Sequence, residues 1–209
     1  MKSLILSTWP LLIFTLLVTG CTSKTVTYFN NITLLGKPKK SVKNPILQEI
    51  AEHLQAETNA TLLYPGETPE EKNRLTLFLT DKYLKISFND LKMFDPEQTI
   101  LSPAVKDALG QIEPILKQYP DIIIQIIGHA YEEGSKKEIR HFADMRAISV
   151  AEYLYDKGFR QEILAKGCGD DVPRQYCSKE KPHMLCSSKN RRVEIFIYSD
   201  KSDVITRCK

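Results

Sequence analysis

The chain has 209 residues, of which 29 are Lys or Arg and 26 are Asp or Glu, for a formal net charge of +3. With 42% hydrophobic and 26% charged residues, it is neither a wholly disordered chain nor a multi-span membrane protein, and the near-balanced charge argues against nucleic-acid binding. The length accommodates one domain of ordinary size with appendages, and the odd number of Cys, five, sets one of them apart.

That Cys stands near the start. Lys2 is the only charge before Lys24, and Leu11 to Val18 (LLIFTLLV) is a short apolar core followed by the small residues Thr19 and Gly20. This is the pattern of a secretory signal. The competing reading, a membrane anchor, needs about 20 apolar residues, and Ser7, Thr8 and Pro10 interrupt this stretch. Val18-Thr19-Gly20-Cys21 resembles a bacterial lipobox, which implies cleavage of residues 1–20 and lipidation of Cys21. Thr22 rather than Asp follows it, which by analogy with lipoprotein sorting points to the outer membrane. The remaining Cys are 168, 177, 186 and 208. In an exported chain they read most simply as two disulfides. A zinc site competes, since His183 lies nearby, but the even spacing of Cys168, Cys177 and Cys186 is not that of a zinc finger. No metal or cofactor is therefore assigned.

Residues 21–43 form a basic linker with Lys24, Lys37, Lys39, Lys40 and Lys43 and no acid. It reads as a solvated tether, with attraction to anionic headgroups or a protein partner as the sharper alternative. Asn44-Pro45 is a cap plus first-turn proline, and Ile46, Leu47, Ile50, Ala51 and Leu54 predict a helix over 45–57. Pro65-Gly66 marks a turn, and RLTLFL (74–79) and YLKISF (83–88) predict a hairpin. Residues 44–82 thus read as a helix-and-strand extension ahead of the main domain.

From 83 to 199 the order is strand, helix, strand, helix, strand, strand. Ser102-Pro103 opens a helix with the stripe Val105, Ala108, Leu109, Ile112, Ile115, Leu116 and Tyr119. Pro114 falls inside it and predicts a local kink opposite Gly110. Ile122 to Ile127 is a central strand, and Ile139, Ala143, Ala147, Val150, Ala151 and Leu154 stripe a second helix stopped by Gly158. Ile163 to Lys166 is a short strand, 167–190 a Cys-bearing loop, and RRVEIFIY (191–198) the last strand, leaving a tail over 200–209. Interleaved strands and helices predict an α/β two-layer sandwich.

Gly128-His129 and then Gly134, Arg146-Ala147, Gly167-x-Gly169-Asp170-x-x-Pro173 and Asn190-Arg191-Arg192-Val193-Glu194-Ile195 occur in order at sensible spacing. Over residues 83–199 the chain is similar to the OmpA-like C-terminal domain, also found in peptidoglycan-associated lipoproteins. A weaker resemblance, resting on the short lipoprotein form, basic leader and single diverged domain, points to the OmpA-like lipoprotein of Dot/Icm type IV secretion systems.

The resemblance implies a β-α-β-α-β-β fold with helices on one face of a mixed sheet. It also implies non-covalent, non-catalytic binding of peptidoglycan through the diaminopimelate of its stem peptide. In the family an Asp meets the ligand ammonium and an Arg its carboxylate, for which a planar guanidinium is suited. The Arg falls on Arg146, but the Asp falls on Tyr131 and the family's Asn on Ile139. Half of the charge pair is missing, with Glu132 and Glu133 as nearby acids. His129 and Arg191 complete the candidate ligand site, each with a structural role as the alternative. The resemblance further implies a Cys177–Cys186 bridge, leaving Cys168 with Cys208 if the tail folds back. There is no nucleophile–base pair and no phosphate loop in the sequence, so an enzyme is not expected. Two roles remain open: a lipid-anchored wall binder, or an envelope-machine subunit whose domain serves protein–protein contacts.

Overall fold

The computed structural model describes residues 43–68, 74–88, 93–131, 134–174, 176 and 188–208. Its principal elements are α1 Pro45–Thr58, β1 Thr61–Leu63, β2 Leu75–Leu79, β3 Leu84–Phe88, α2 Pro103–Leu116, β4 Ile123–Gly128, α3 Lys136–Asp156, β5 Glu162–Gly167 and β6 Val193–Tyr198. The caps sit where the sequence places them. Asn44 accepts from the Leu47 N–H at 3.2 Å, and Ser102 accepts from the Val105 N–H at 3.4 Å. Each satisfies a backbone donor that the first helical turn leaves orphaned, and Pro45 and Pro103 follow, where no N–H is needed. α2 runs as one element through Pro114, which falls in its last turn, two residues before its end.

The sheet order is β1-β2-β3-β6-β4-β5. β2, β3, β6 and β4 pair antiparallel in turn, while β1–β2 and β4–β5 are parallel at the two ends. The result is the mixed sheet expected. β1 is the element that the sequence reading omits: three residues are too few to display an alternation.

Alternation divides the two faces of the sheet. Leu75, Leu77, Leu79, Leu84, Ile86, Ile124, Ile126, Val193, Ile195 and Ile197 join Leu47, Ile50 and Leu54 of α1, Val105, Leu109 and Ile112 of α2, and Ala147, Val150 and Leu154 of α3 in one core. Residues 44–82 therefore contribute to the same sheet and core as the segment that follows. The opposite face carries Ile123, Ile127, Phe196 and Tyr198 with Cys168, and Tyr83, Leu164, Val204, Ile205 and Cys208 pack against them. The C-terminal tail, which opens with a 3-10 turn at Lys201–Asp203, thus lies over the face that bears no helix.

Candidate functional site

The site is built on the seating of α3. Gly128 and Gly167 stand side by side at the ends of β4 and β5. A Cβ on Gly128 would overlap the Ala143 carbonyl oxygen, and one on Gly167 would overlap the Asp144 backbone. Two adjacent glycines let the helix backbone approach the sheet this closely. Asp144 fastens the contact, accepting from the Gly167 N–H at 2.6 Å. The start of α3 is set by a capping box: Ser135 accepts from the Glu138 N–H, and Glu138 accepts from the Ser135 N–H at 2.7 Å. The Ser135 N–H and hydroxyl, both donating to the Glu138 carboxylate, hold it below its ordinary value.

Arg146, less than one turn past Asp144, has no exposed surface. Its guanidinium lies 5.1 Å from the Phe94 ring centroid and 5.9 Å from that of Phe142. Nε donates to the Gln98 carbonyl at 3.1 Å, and a terminal nitrogen reaches the Asp95 carbonyl at 3.5 Å. The segment 94–98, between β3 and α2, therefore lies over the arginine. The sequence singles out Arg146 but not Phe94, Asp95, Gln98 or Phe142. The first three sit in an irregular segment with no period, and Phe142 follows the exposed His141 on the helix.

His129 lies elsewhere. Its ring is 3% exposed, and Nε2 is 3.5 Å from Glu194 Oε2. Glu194 also contacts Lys85 Nζ at 3.6 Å and Arg192 Nε at 3.3 Å, and Arg192 donates to the Val172 carbonyl at 3.2 Å. Lys85 and Glu194 alternate with Leu84, Ile86, Val193 and Ile195 of the main core, so this group belongs to the helix-free face. The structure thus separates His129 from Arg146, which lies on the helix side. Burial pushes the His129 pKa below its ordinary value, against the opposing pull of Glu194. For Glu194, burial alone would raise the pKa. The close approach of His129 and the charges of Arg192 and Lys85 outweigh that and hold the carboxyl well below the usual range.

Tyr131 is half-buried and Arg191 buried. Around them, the ends of β4, β5 and β6 are tied by backbone bonds: His129 N–H to Arg192 carbonyl at 2.8 Å, Cys168 N–H to Gly128 carbonyl at 2.8 Å, and Ala130 N–H to Gly169 carbonyl at 3.0 Å. Lys136 and Arg140 pair with Asp170 and Asp171 at 2.6 and 2.5 Å. Cys168 and Cys208 form a disulfide. Glu132, Glu133, Cys21, Cys177, Cys186 and His183 lie outside the described residues. Among the described residues no group of three or more His, Cys, Asp or Glu could hold a metal ion.

Residues 93–183 match the sequence model of the OmpA family. The chain is 28% identical over 123 residues to Outer membrane protein A of Buchnera aphidicola subsp. Schizaphis graminum, an overlap of 55% of this chain and 35% of that protein. It is also 28% identical over 145 residues to the Peptidoglycan-associated lipoprotein of Buchnera aphidicola subsp. Baizongia pistaciae, an overlap of 67% of this chain and 81% of that one. The chain therefore spans about a third of the length of the first relative and most of the second. A MotB-like protein from Desulfovibrio vulgaris shares the fold, with a TM-score of 0.51 at 15% identity over 73% of this chain and 98% of the other.

Proposed function

Residues 93–183 carry an OmpA family domain, and from that premise we propose that the chain is a non-enzymatic envelope lipoprotein that grips peptidoglycan through Arg146. In this reading Cys21 carries the lipid, residues 21–43 tether it to the outer membrane, and the domain faces the periplasm. The ligand is the diaminopimelate of the stem peptide, whose carboxylate meets the guanidinium. The relative named for association with peptidoglycan supports the class of ligand. The observation that carries the reading is the placement of Arg146 on α3 against the rings of Phe94 and Phe142. A planar fork is suited to bidentate carboxylate capture.

Because 94–98 covers the arginine, binding requires this segment to move aside and give up its two carbonyl contacts. Tyr131 supplies the ligand ammonium with a hydroxyl and a ring face where the family has a carboxylate. Loss of one charge in a buried recognition pair costs about 2–5 kcal/mol, and a cation–π contact returns about 0.5–2 kcal/mol. Binding is accordingly weaker than in a family member with the intact pair.

The test is retention on purified diaminopimelate-type sacculi. Tyr131→Asp is expected to tighten retention about tenfold or more. Arg146→Lys, which keeps the charge but loses the fork, is expected to weaken it, with a thermal melt checking the fold of each variant. Retention that Arg146→Lys leaves unchanged in a folded protein sinks the reading. The full burial of Arg146 favours a second reading, in which the domain is a protein-contact subunit of an envelope assembly such as a type IV secretion apparatus. Failure of wild type and both variants to bind sacculi selects it.

A further inference from the structure

The C-terminal tail is built into the sheet rather than draped over it. Gln125, in central strand β4, is 3% exposed, and its side-chain amide donates to the Ile205 carbonyl at 2.8 Å. Tyr198 OH donates to Gln125 Oε1 at 2.9 Å and lies 3.3 Å from the Ile205 N–H. Lys166 Nζ reaches the Thr206 carbonyl at 2.7 Å, and Lys201 pairs with Glu162 at 2.6 Å. Val204 and Ile205 pack on the apolar face, and Cys208 ends the path in its disulfide with Cys168, 40 residues earlier.

Cys168 is also the residue on which the loop before α3 rests. Its N–H donates to Gly128, its carbonyl accepts from Asp171, and the Gly169 carbonyl beside it accepts from Ala130. Asp170 and Asp171 then pair with Lys136 and Arg140 in the first turns of α3. The disulfide joins this hub to the tail.

We infer that the tail and the Cys168–Cys208 bond act as a clamp that positions the Ala130–Tyr131 segment, and that a dithiol releases it. In the release step the disulfide takes two electrons and two protons from the dithiol, which closes to its own disulfide, and Cys168 and Cys208 become thiols. An oxidoreductase presenting a reduced Cys pair is the class of partner that performs this step. With the bond open, the tail keeps only its hydrogen bonds and apolar contacts, and the 168–171 hub loses its covalent tie to the tail. The link from clamp to wall binding rests on the function proposed above, whereas the clamp itself does not.

The test uses the full chain in detergent, oxidised, reduced with dithiothreitol, and as the Cys168→Ala/Cys208→Ala variant. The variant separates this bond from the other cysteines. Amide hydrogen exchange is read by segment. Opening the bond is expected to speed exchange at 128–131 and 168–171, as well as at 200–208, about tenfold more than in α1 and α2. Faster exchange confined to 200–208 overturns the clamp. Retention on sacculi is read in parallel, and a several-fold loss on reduction is expected. A chain that is not retained even when oxidised overturns the wall-binding reading, and the exchange pattern still decides the clamp. Retention in the oxidised form that survives a loosened 128–131 segment overturns the coupling between them.

Discussion

The two faces of the sheet are closed by different means. On one, α1, α2 and α3 lay their apolar stripes on Leu77, Ile86, Ile126 and Ile195, so closure is spread over contacts of similar kind. On the other, a short tail, one disulfide and a few polar side chains do the closing: Gln125, Tyr198 and the His129–Glu194–Arg192–Lys85 group. Apolar burial is insensitive to pH and redox state, while a covalent bond and a set of buried charges respond to both. The helix face holds the larger apolar core, and the disulfide and this buried charge group lie on the helix-free face.

The largest effect is expected on the helix face. Ile195→Ala removes a side chain with no exposed surface from the middle of the core. It is expected to lower stability by about 2–5 kcal/mol in urea unfolding. Loss of less than 1 kcal/mol, on the order of a surface substitution, would contradict the division of labour described. On the other face, Cys168→Ala/Cys208→Ala opens a long loop and is expected to cost about 2–4 kcal/mol, visible as a lower melting temperature in a chain that still folds. Full unfolding would mean that the tail carries more of the stability than the helix face leaves to it.

Tyr198→Phe is a smaller change that keeps the ring and deletes the hydroxyl between Gln125 and Ile205. About 1–2 kcal/mol is expected, with faster exchange across 200–208. An unchanged tail would show that the disulfide alone holds it.

The smallest effect is in pH. His129 is buried with its pKa lowered, so the unfolded chain takes up its proton first. Its contribution is complete above about 6.5, the ordinary value, and is lost as pH falls through that value towards the folded one. Glu194, also lowered, contributes above the ordinary carboxylate range and loses its share as pH falls further. Stability is thus expected to decline in two stages on acidification. His129→Gln is expected to remove the first and leave the second, read as the slope of unfolding free energy against pH. A first stage that persists in this variant assigns it to another group.

Much of the architecture is legible along the chain because it is local. The Asn44-Pro45 and Ser102-Pro103 pairs mark helix starts by supplying an acceptor and omitting a donor. The alternation in 75–79 and 84–88 marks strands because successive side chains face opposite ways. The position of Arg146 on α3 is equally local. What lies over it is not: Gln98 is 48 residues away in an irregular segment. His129 shows the same limit. Its motif places it beside the candidate ligand site, yet the pleat at the end of β4 turns its ring to Glu194 on the far face.

By itself, the sequence determined the helices, five of the six strands, the apolar stripes that make the main core, and the order of motifs shared with the OmpA family. These depend on residues two to four positions apart, whose spacing is written directly in the chain. Only the tertiary structure decided the path of the tail, the side of the sheet on which His129 lies, and the closure of 94–98 over Arg146. Each depends on partners brought together by the fold, as when Ile205 meets Gln125 across 80 residues. No local periodicity encodes such a meeting. It exists because β4 is buried between β5 and β6, and its one polar side chain, with water excluded, takes its partners from the tail and from Tyr198.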